Sequence, residues 1–363
     1  MSFNEVIMFI MAIGVIIGGV DRILGNKFGL GKQFEEGFMC FGPTALSMVG
    51  IICLAPVIAD ILEPIVVPAF NFIGVDPAMF GSILALDMGG YPLAMELAQN
   101  IEVGKFAGLV VASMLGATIV FTIPVGLELI DKGSHPFFAK GLLIGIVPIP
   151  IGCIIGGIVM GLPFDKLIIN CIPIFLIAIG LMLGLVYMQS KMVKAFAKFG
   201  TGIKIVTTIG LAIAAFTYLT NIKIIDRMPD IMDSMITVSG ICIVLLGSLP
   251  LMGLMMMILK KPFEKLGEKI GLDAVSIGGI LFSCISVLPV FKMIKDMNER
   301  GKIVTTAFLV SSMATFSAHL GYTVDAQPDM LLPVVISKLC SATLALLLGL
   351  YMTREKEQIN NKN

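Results

Sequence analysis

The sequence predicts an all-α polytopic membrane protein with about nine transmembrane helices plus two re-entrant or broken segments, arranged as inverted repeats. Three observations support this fold class: an apolar composition, a series of long apolar runs and an internal sequence match. Hydrophobic residues make up 57% of the 363 residues and charged residues 14%, whereas soluble domains average about 45–50% and about 25%. The 25 basic and 25 acidic residues cancel, so no overall positive field favours nucleic acid as a partner.

Nine apolar runs approach or exceed the roughly 20 residues that an α-helix needs to cross the hydrocarbon of a bilayer. The runs lie at 5–21, 38–60, 104–130, 139–161, 167–190, 203–220, 234–258, 303–321 and 330–352. The first run passes into Asp21-Arg22 without a small-residue cleavage site. We therefore expect it to stay as a helix rather than act as a removable signal peptide.

Two further apolar stretches, 78–97 and 275–291, are interrupted. The first contains Asp87-Met-Gly-Gly-Tyr-Pro92 and the second contains Ser286-Val-Leu-Pro289, and glycine and proline break the helical hydrogen-bond ladder. Irregular backbone at membrane depth is tolerated only where it is buried in protein or lines a wet cavity. These stretches therefore indicate a pathway for a small polar solute.

The two interrupted stretches are related to each other by a shift of 197 residues along the chain. The matched pairs include glycine, aspartate and proline, which chance similarity between apolar helices does not readily supply. They are Gly50 with Gly247, Gly74 with Gly271, Asp76 with Asp273, Gly81 with Gly278, Pro92 with Pro289, Gly104 with Gly301 and Thr118 with Thr315.

The distribution of basic residues predicts how the two halves are oriented. If both interrupted stretches enter and leave on one side, most of the 25 lysines and arginines fall in cytoplasmic segments, as the positive-inside rule requires. The N-terminus is then outside and the C-terminus cytoplasmic, and the halves are inverted. We expect a first repeat at 1–166, a linker helix at 167–190, a second repeat at 191–352 and a cytoplasmic tail at 353–363.

Asp87 is the leading candidate for a substrate-binding residue, because a carboxylate near the bilayer centre costs about 2.5–3.5 kcal/mol on insertion scales. It would bind a cation, with backbone carbonyls freed by the break completing the site. A structural brace at the helix break is the alternative. The other candidate substrate-binding residues surround the two breaks or carry repeat-related hydroxyls: Gly89, Gly90, Tyr91, Ser283, Cys284, Ser286, Thr118 and Thr315.

Five further charged or titratable residues are predicted to lie in the pathway or in ion pairs: Glu35, Glu36, Glu96, His319 and Lys338. For Glu35 and Glu36 helix capping is the favoured role, since carboxylates stabilise the positive end of a helix dipole. Lys338 lies within the last apolar run, where an ion pair is favoured. No metal or cofactor site and no catalytic motif is predicted, so we expect no enzyme.

Four segments resemble the bacterial ethanolamine-utilisation membrane protein family, whose members are regarded as permeases: Val20-Asp-Arg-Ile-Leu24, Gln33-Phe-Glu-Glu-Gly-Phe-Met39, Leu86-Asp-Met-Gly-Gly90 and Ile149-Pro-Ile-Gly-Cys153. The resemblance extends from residue 1 to about residue 350. It implies that ethanolamine is the transported solute and that the chain resides in the bacterial inner membrane.

Two other function classes stay open. A transporter or channel for another small amine, an amino acid or an ion would share this topology. A membrane-embedded enzyme acting on lipid head groups is less favoured, because it needs paired catalytic groups and the chain has two histidines. A homo-oligomer and an unidentified coupling ion are also left open.

Overall fold

The computed structural model describes residues 3–84 and 89–354, and within these ranges the regular structure is helical. The first half contains α1 Phe3–Ile23, α2 Leu30–Met39, α3 Phe41–Phe72, α4 Ala78–Ile83, α5 Gly90–Leu97, α6 Ile101–Lys105, α7 Ile123–Leu129, α8 His135–Ile146 and α9 Ile149–Val159. Two π-helices, Phe106–Gly116 and Thr118–Thr122, connect α6 to α7.

The linker helix α10 (Phe164–Tyr187) precedes a second half that again combines long and short helices. Its helices are α11 Gln189–Thr220, α12 Ile231–Lys269, α13 Ala274–Ser283, α14 Val287–Met293, α15 Glu299–Ser312, α16 Ala318–Ala326 and α17 Leu331–Met352.

The predicted all-α polytopic membrane class is confirmed. Eight helical segments of the described chain are long and apolar enough to cross a membrane. The predicted run at 303–321 differs, because α15 ends at Ser312 and α16 begins only at Ala318. The intervening backbone turns sharply, and Ala314 adopts a left-handed conformation with φ of 52°. The run at 303–321 therefore forms two short helices instead of one long helix.

The first interrupted stretch forms a hairpin whose entrance and exit are joined by Asp76. One carboxylate oxygen accepts from the backbone N–H of Ala78 at 2.9 Å, where α4 begins, and the other accepts from the N–H of Asn100 at 2.9 Å, just before α6. Gly74 precedes it with a φ of +71°, a conformation that glycine adopts readily. The chain therefore returns to the level at which it entered.

Asp273 joins the ends of the second hairpin in the same way. Its carboxylate accepts from the N–H of Ser276 at 2.8 Å in the first turn of α13, and from the N–H of Asn298 at 2.7 Å, just before α15. Gly271 precedes it with a φ of +72°. We call these two carboxylates, Asp76 and Asp273, the hairpin staples.

Glycines at two helix crossings also correspond between the halves. A Cβ atom on Gly50 of α3 would collide with the carbonyl of Thr207 on α11, and a Cβ atom on Gly247 of α12 would collide with the carbonyl of Met11 on α1. Small residues let membrane helices approach to backbone contact. The crossings α3–α11 and α1–α12 are therefore built alike, while the inverted relation of the two halves stays a prediction.

The π-helix Phe106–Gly116 lies at the centre of the molecule, and all of its residues are buried. A helix that is apolar on every side can only be accommodated by protein or lipid around it. Here α4, α5, α9, α15 and α17 surround it. The π-helix thus packs directly against the first hairpin, and α15, one of its neighbours, packs against α13 of the second hairpin.

Candidate functional site

The first break, between α4 and α5, carries the residues singled out in the sequence. Asp87 lies outside the described residues. Gly89 and Gly90 are buried at the start of α5. Tyr91 packs edge-on against Tyr322 of α16 with 6.2 Å between ring centroids, and its hydroxyl lies 3.2 Å from Oε1 of Gln327, to which it donates. The first break therefore contacts the second half of the molecule through Tyr91.

A glycine in the central π-helix makes room for this contact. A Cβ atom on Gly108 would lie 2.7 Å from both Cα and Cδ2 of Tyr91, which is shorter than van der Waals contact. The backbone of the first break is thus pressed directly against the π-helix. Any side chain at residue 108 would move Tyr91.

The second break, between α13 and α14, is bonded to the interruption between α15 and α16. The carbonyl of Ser283 accepts from the N–H of Ala314 at 3.1 Å, and the carbonyl of Cys284 accepts from the N–H of Phe316 at 2.9 Å. The hydroxyl of Ser317 donates to the carbonyl of Ile285. Backbone groups freed by one interruption are therefore satisfied by the other, as the membrane interior demands.

The hydroxyl groups around the second break form a buried polar cluster. Ser283 and Ser312 share a hydrogen bond of 2.9 Å between their hydroxyl oxygens, and Thr315 donates to the carbonyl of Ser312 at 2.7 Å. Ser286 is partly buried at the start of α14. These hydroxyl oxygens keep lone pairs that can accept a hydrogen bond from a polar solute.

The central helices are tied together by two polar side chains. Thr118 donates to the carbonyl of Met114 at 2.6 Å and lies 3.4 Å from the carbonyl of Val310 on α15. Lys338 of α17 is fully buried, and its Nζ donates to the carbonyl of Ser113 in the π-helix at 2.7 Å. Lys338 thus places a basic group beside the interrupted helices.

A cavity of about 470 Å³ lies between the first break, the first turns of α3 and the middle of α11. Residues from several parts of the chain line it, among them Ser47 of α3, Gly89 at the break, Phe121 of the second π-helix, Thr207 of α11, and His319 and Tyr322 of α16. His319 and Tyr322 are each 2% exposed. The cavity wall therefore combines apolar surface with hydroxyl and imidazole groups, as small-molecule sites do.

The predicted site residues divide into those at the cavity and those elsewhere. Gly89 and His319 line it, whereas Ser283, Cys284, Ser286, Thr118 and Thr315 do not belong to its lining. Of the carboxylates, Glu35 pairs with Arg22 at 2.7 Å and Glu96 lies 3.9 Å from Arg227. Glu36 is exposed.

One titratable group outside the membrane-spanning segments, the carboxyl of Asp131, belongs to a hydrogen-bond chain that links the loop before α8 to α15. The hydroxyl of Ser134 donates to the carboxylate of Asp131 and lowers the pKa of that carboxyl below its ordinary value. Nζ of Lys302, near the start of α15, donates to the same hydroxyl at 2.9 Å. The loop before α8 is thereby attached to α15.

Several residues at the hairpins and the breaks were not singled out from the sequence. The hairpin staples were visible only as matched aspartates, and nothing local indicated that each binds the asparagine that caps the following helix. Tyr322, Ser312 and Ser317 were not singled out, because the run at 303–321 reads as a continuous helix. Within the described residues no group of three or more His, Cys, Asp or Glu side chains could hold a metal ion.

Comparison with known proteins gives matches along almost the whole chain. A family model described as "Ethanolamine utilisation protein, EutH" matches residues 3–352. A protein of Listeria monocytogenes named "Probable ethanolamine permease EutH" is 45% identical over 361 residues, which cover 99% of this chain and 97% of that protein. A protein of the same name from Escherichia coli is 34% identical, with 100% and 98% covered.

A Bacillus subtilis protein named "Uncharacterized protein YxeR" is 38% identical over 354 residues, which cover 97% of this chain and 96% of that protein. No solved structure matches the chain.

Proposed function

Because this chain belongs to the EutH family of ethanolamine utilisation proteins, we propose that it transports ethanolamine across the bacterial inner membrane. The chain has the multi-pass helical architecture of a permease. The observation that carries the proposal is the cavity, whose wall joins Gly89 at the first break to the buried polar side chains of His319 and Tyr322 on α16. Its volume of about 470 Å³ exceeds the roughly 30 Å³ share of one water molecule many times over.

The proposed substrate is the protonated form of ethanolamine. Primary amines resemble lysine in pKa and are charged near neutral pH. Asp87 supplies the opposite charge in this proposal, since it is two residues from Gly89, which lines the cavity. Hydroxyl and carbonyl groups around the breaks receive the alcohol. The alternative is that the neutral amine permeates and Asp87 braces the helix break.

The proposed transport cycle is of the alternating-access or facilitator type. The cavity lining includes the first turns of α3, which follow the basic segment 21–37, and Gly200, Ile203 and Lys204 of the basic segment 190–204, and the positive-inside rule assigns both segments to the cytoplasm. The described conformation is then inward-facing. The inverted repeats at 1–166 and 191–352 would exchange roles to open the outward path.

Uptake of radiolabelled ethanolamine into proteoliposomes tests the proposal. We expect saturable uptake that Asp87→Asn reduces strongly, because the change keeps side-chain size but removes the charge. Glu63→Gln is the matched control, since Glu63 is an exposed carboxylate on α3 outside the cavity lining. Normal transport by well-folded Asp87→Asn across pH would eliminate the cation-binding role, and uptake rising with the unprotonated fraction would favour the neutral amine.

Protection of a cavity cysteine from thiol modification distinguishes ethanolamine from the other candidate solutes. In a cysteine-depleted background, Ser47→Cys places a thiol on the exposed cavity wall, and we expect ethanolamine to slow its modification. Imposed proton or sodium gradients in the same vesicles reveal any coupling ion. Protection by another amine, an amino acid or an ion, but not by ethanolamine, would transfer the proposal to that solute. Turnover of ethanolamine phospholipids would indicate the head-group enzyme instead.

A further inference from the structure

A series of aromatic and polar contacts begins at the wall of the cavity of about 470 Å³. Tyr322 of α16, which lines this cavity, packs edge-on against the ring of Tyr91 at the first break. The hydroxyl of Tyr91 donates to Oε1 of Gln327, and Nε2 of the same amide donates to Oδ1 of Asp329 at 2.7 Å. Nζ of Lys105 donates to the other oxygen of that carboxylate at 3.0 Å. We call these five residues the Tyr91 network.

The Tyr91 network leads from the buried interior toward water. Tyr322 is buried, whereas the side chain of Lys105 is 13% exposed and that of Asp329 is 58% exposed. Lys105 also pairs with the exposed carboxylate of Glu102 at 3.3 Å. The positive-inside rule predicts that these charged residues face outside, while the basic segment 190–204, part of which lines the cavity, faces the cytoplasm. The Tyr91 network therefore lies between the cavity and the predicted outer face.

A second tie joins the first hairpin to the other half of the molecule on the same predicted side. Arg227, in the loop 221–230 between α11 and α12, forms an ion pair with Asp60 of α3. Its Nη2 lies 3.9 Å from Oε2 of Glu96 on α5. Alternating access requires the two halves of a transporter to move relative to each other. Contacts that join the halves at the outer face must therefore separate when the cavity opens outward.

We propose that the Tyr91 network is the outer gate of the transporter. It is closed in the described conformation and opens when Tyr91 separates from Tyr322 and Gln327. This inference rests on the proposed transport function and on its inward-facing conformation. The bonds suit a gate, because a single hydrogen bond or a partly exposed ion pair contributes little net free energy. Water that reaches Asp329 can replace them, so the gate separates at low cost.

Access to the cavity from outside measures the state of the gate without any transported solute. In a cysteine-depleted background, Ala318→Cys places a thiol on the exposed cavity wall. We expect an impermeant methanethiosulfonate reagent to modify it much more slowly in intact cells than in permeabilised cells. Tyr91→Phe keeps the ring but loses the hydrogen bond to Gln327, so it should accelerate modification in intact cells about two- to tenfold.

Asp329→Asn is a second gate variant, because it weakens the bonds from Gln327 and Lys105. It should accelerate modification in intact cells in the same direction as Tyr91→Phe. Melting temperatures in detergent identify a variant that fails to fold, and the other variant then carries the test.

Tyr218→Phe and Asp165→Asn are the matched controls. Each makes the same chemical change at an exposed side chain of the predicted outer face, outside the Tyr91 network. We expect both controls to leave the modification rate of Ala318→Cys unchanged.

Two results would overturn the proposed gate. One is modification of Ala318→Cys that is as fast in intact cells as in permeabilised cells, because the outer side would then be open. The other is an equal rate in the gate variants and their controls. Failure of the proposed function has a different signature, since an absence of ethanolamine uptake leaves the thiol measurement, and the gate that it reports, unaffected.

Discussion

Lys338 shows how a single residue can be placed correctly along the sequence and still have an unexpected partner. Its position within the last apolar run predicts an ion pair, which stays a prediction, and the sequence did not suggest the hydrogen bond that its Nζ donates to the carbonyl of Ser113. That carbonyl belongs to the π-helix Phe106–Gly116, whose winding departs from the ordinary i to i−4 pattern. Sequence alone does not report π-winding, so the acceptor could not be predicted.

Gly108 provides a test at the residue scale. We expect Gly108→Ala to destabilise the protein by about 1–3 kcal/mol, because the added methyl group overpacks a buried contact at 2.7 Å from Tyr91 Cα. The displacement of Tyr91 should also reduce ethanolamine uptake. Thermal unfolding in detergent and uptake into proteoliposomes provide the measurements.

Gly180→Ala is the control for this prediction, since a Cβ atom at Gly180 of α10 would meet nothing within 4 Å. Alanine is the better helix former by about 1 kcal/mol, so the control should be neutral or stabilising. Equal behaviour of the two variants would show that Gly108 does not position the first break.

At the scale of elements, the hairpins depend on the hairpin staples, Asp76 and Asp273. Each carboxylate ties the first turn of its hairpin to the asparagine that caps the next helix. The sequence supplied the aspartate pair and the glycine–proline breaks, and these determined where the hairpins lie. The bonds to Asn100 and Asn298 depend on the return of the chain, which is a tertiary property.

Removing one staple should loosen one hairpin. We expect Asp273→Ala to cost about 0.5–2 kcal/mol, the usual loss of a helix N-cap, and to accelerate amide hydrogen exchange in 274–293. Asp76→Ala should do the same in 78–97. Asp165→Ala, at an exposed carboxylate in the first turn of α10, is the control. Acceleration spread evenly over the chain by either staple variant would contradict a local role.

The hydrogen bonds that attach the loop before α8 predict that the thermal stability of the protein depends on pH. The hydrogen bond from the Ser134 hydroxyl lowers the pKa of Asp131 in the folded protein. A lowered carboxyl pKa contributes stability that is complete above the unfolded-state pKa and is lost as the pH falls through the folded-state pKa. The difference in melting temperature between the wild type and Asp131→Asn should therefore be constant near neutral pH and shrink below about pH 4. A difference that grows on acidification would reverse the assigned sign.

At the scale of the whole molecule, the two ends of each hairpin lie together, and the distribution of basic residues predicts which side of the membrane they face. We expect cysteines at Lys265 and Asn298 to react from the cytoplasm and a cysteine at Gln99, beside the first hairpin, to react from outside, because the basic segments 259–274 and 292–302 flank the second hairpin.

An impermeant thiol reagent, applied to intact and permeabilised cells carrying single cysteines, measures these positions. Labelling of the cysteines at Lys265 and Asn298 from opposite sides would contradict the re-entrant second hairpin. Labelling of the cysteine at Gln99 from the cytoplasm would contradict the inverted orientation of the two halves.

The sequence by itself determined the membrane class, the two interrupted hairpins and the family. Apolar run length, glycine and proline act within a single segment, and four short motifs sufficed for the resemblance that the family match confirms. These features are local, so they can be recognised before any packing is known.

Only the tertiary structure decided that the run at 303–321 is interrupted and where the cavity lies. The interruption persists because the N–H groups of Ala314 and Phe316 bond to the carbonyls of Ser283 and Cys284, which are distant in sequence. In a membrane, the backbone N–H and C=O groups at an interrupted helix need such hydrogen-bond partners, because no water is present to satisfy them. Hydrogen bonds between backbone segments distant in sequence leave no pattern in the apolar run itself. A continuous helix was therefore expected there.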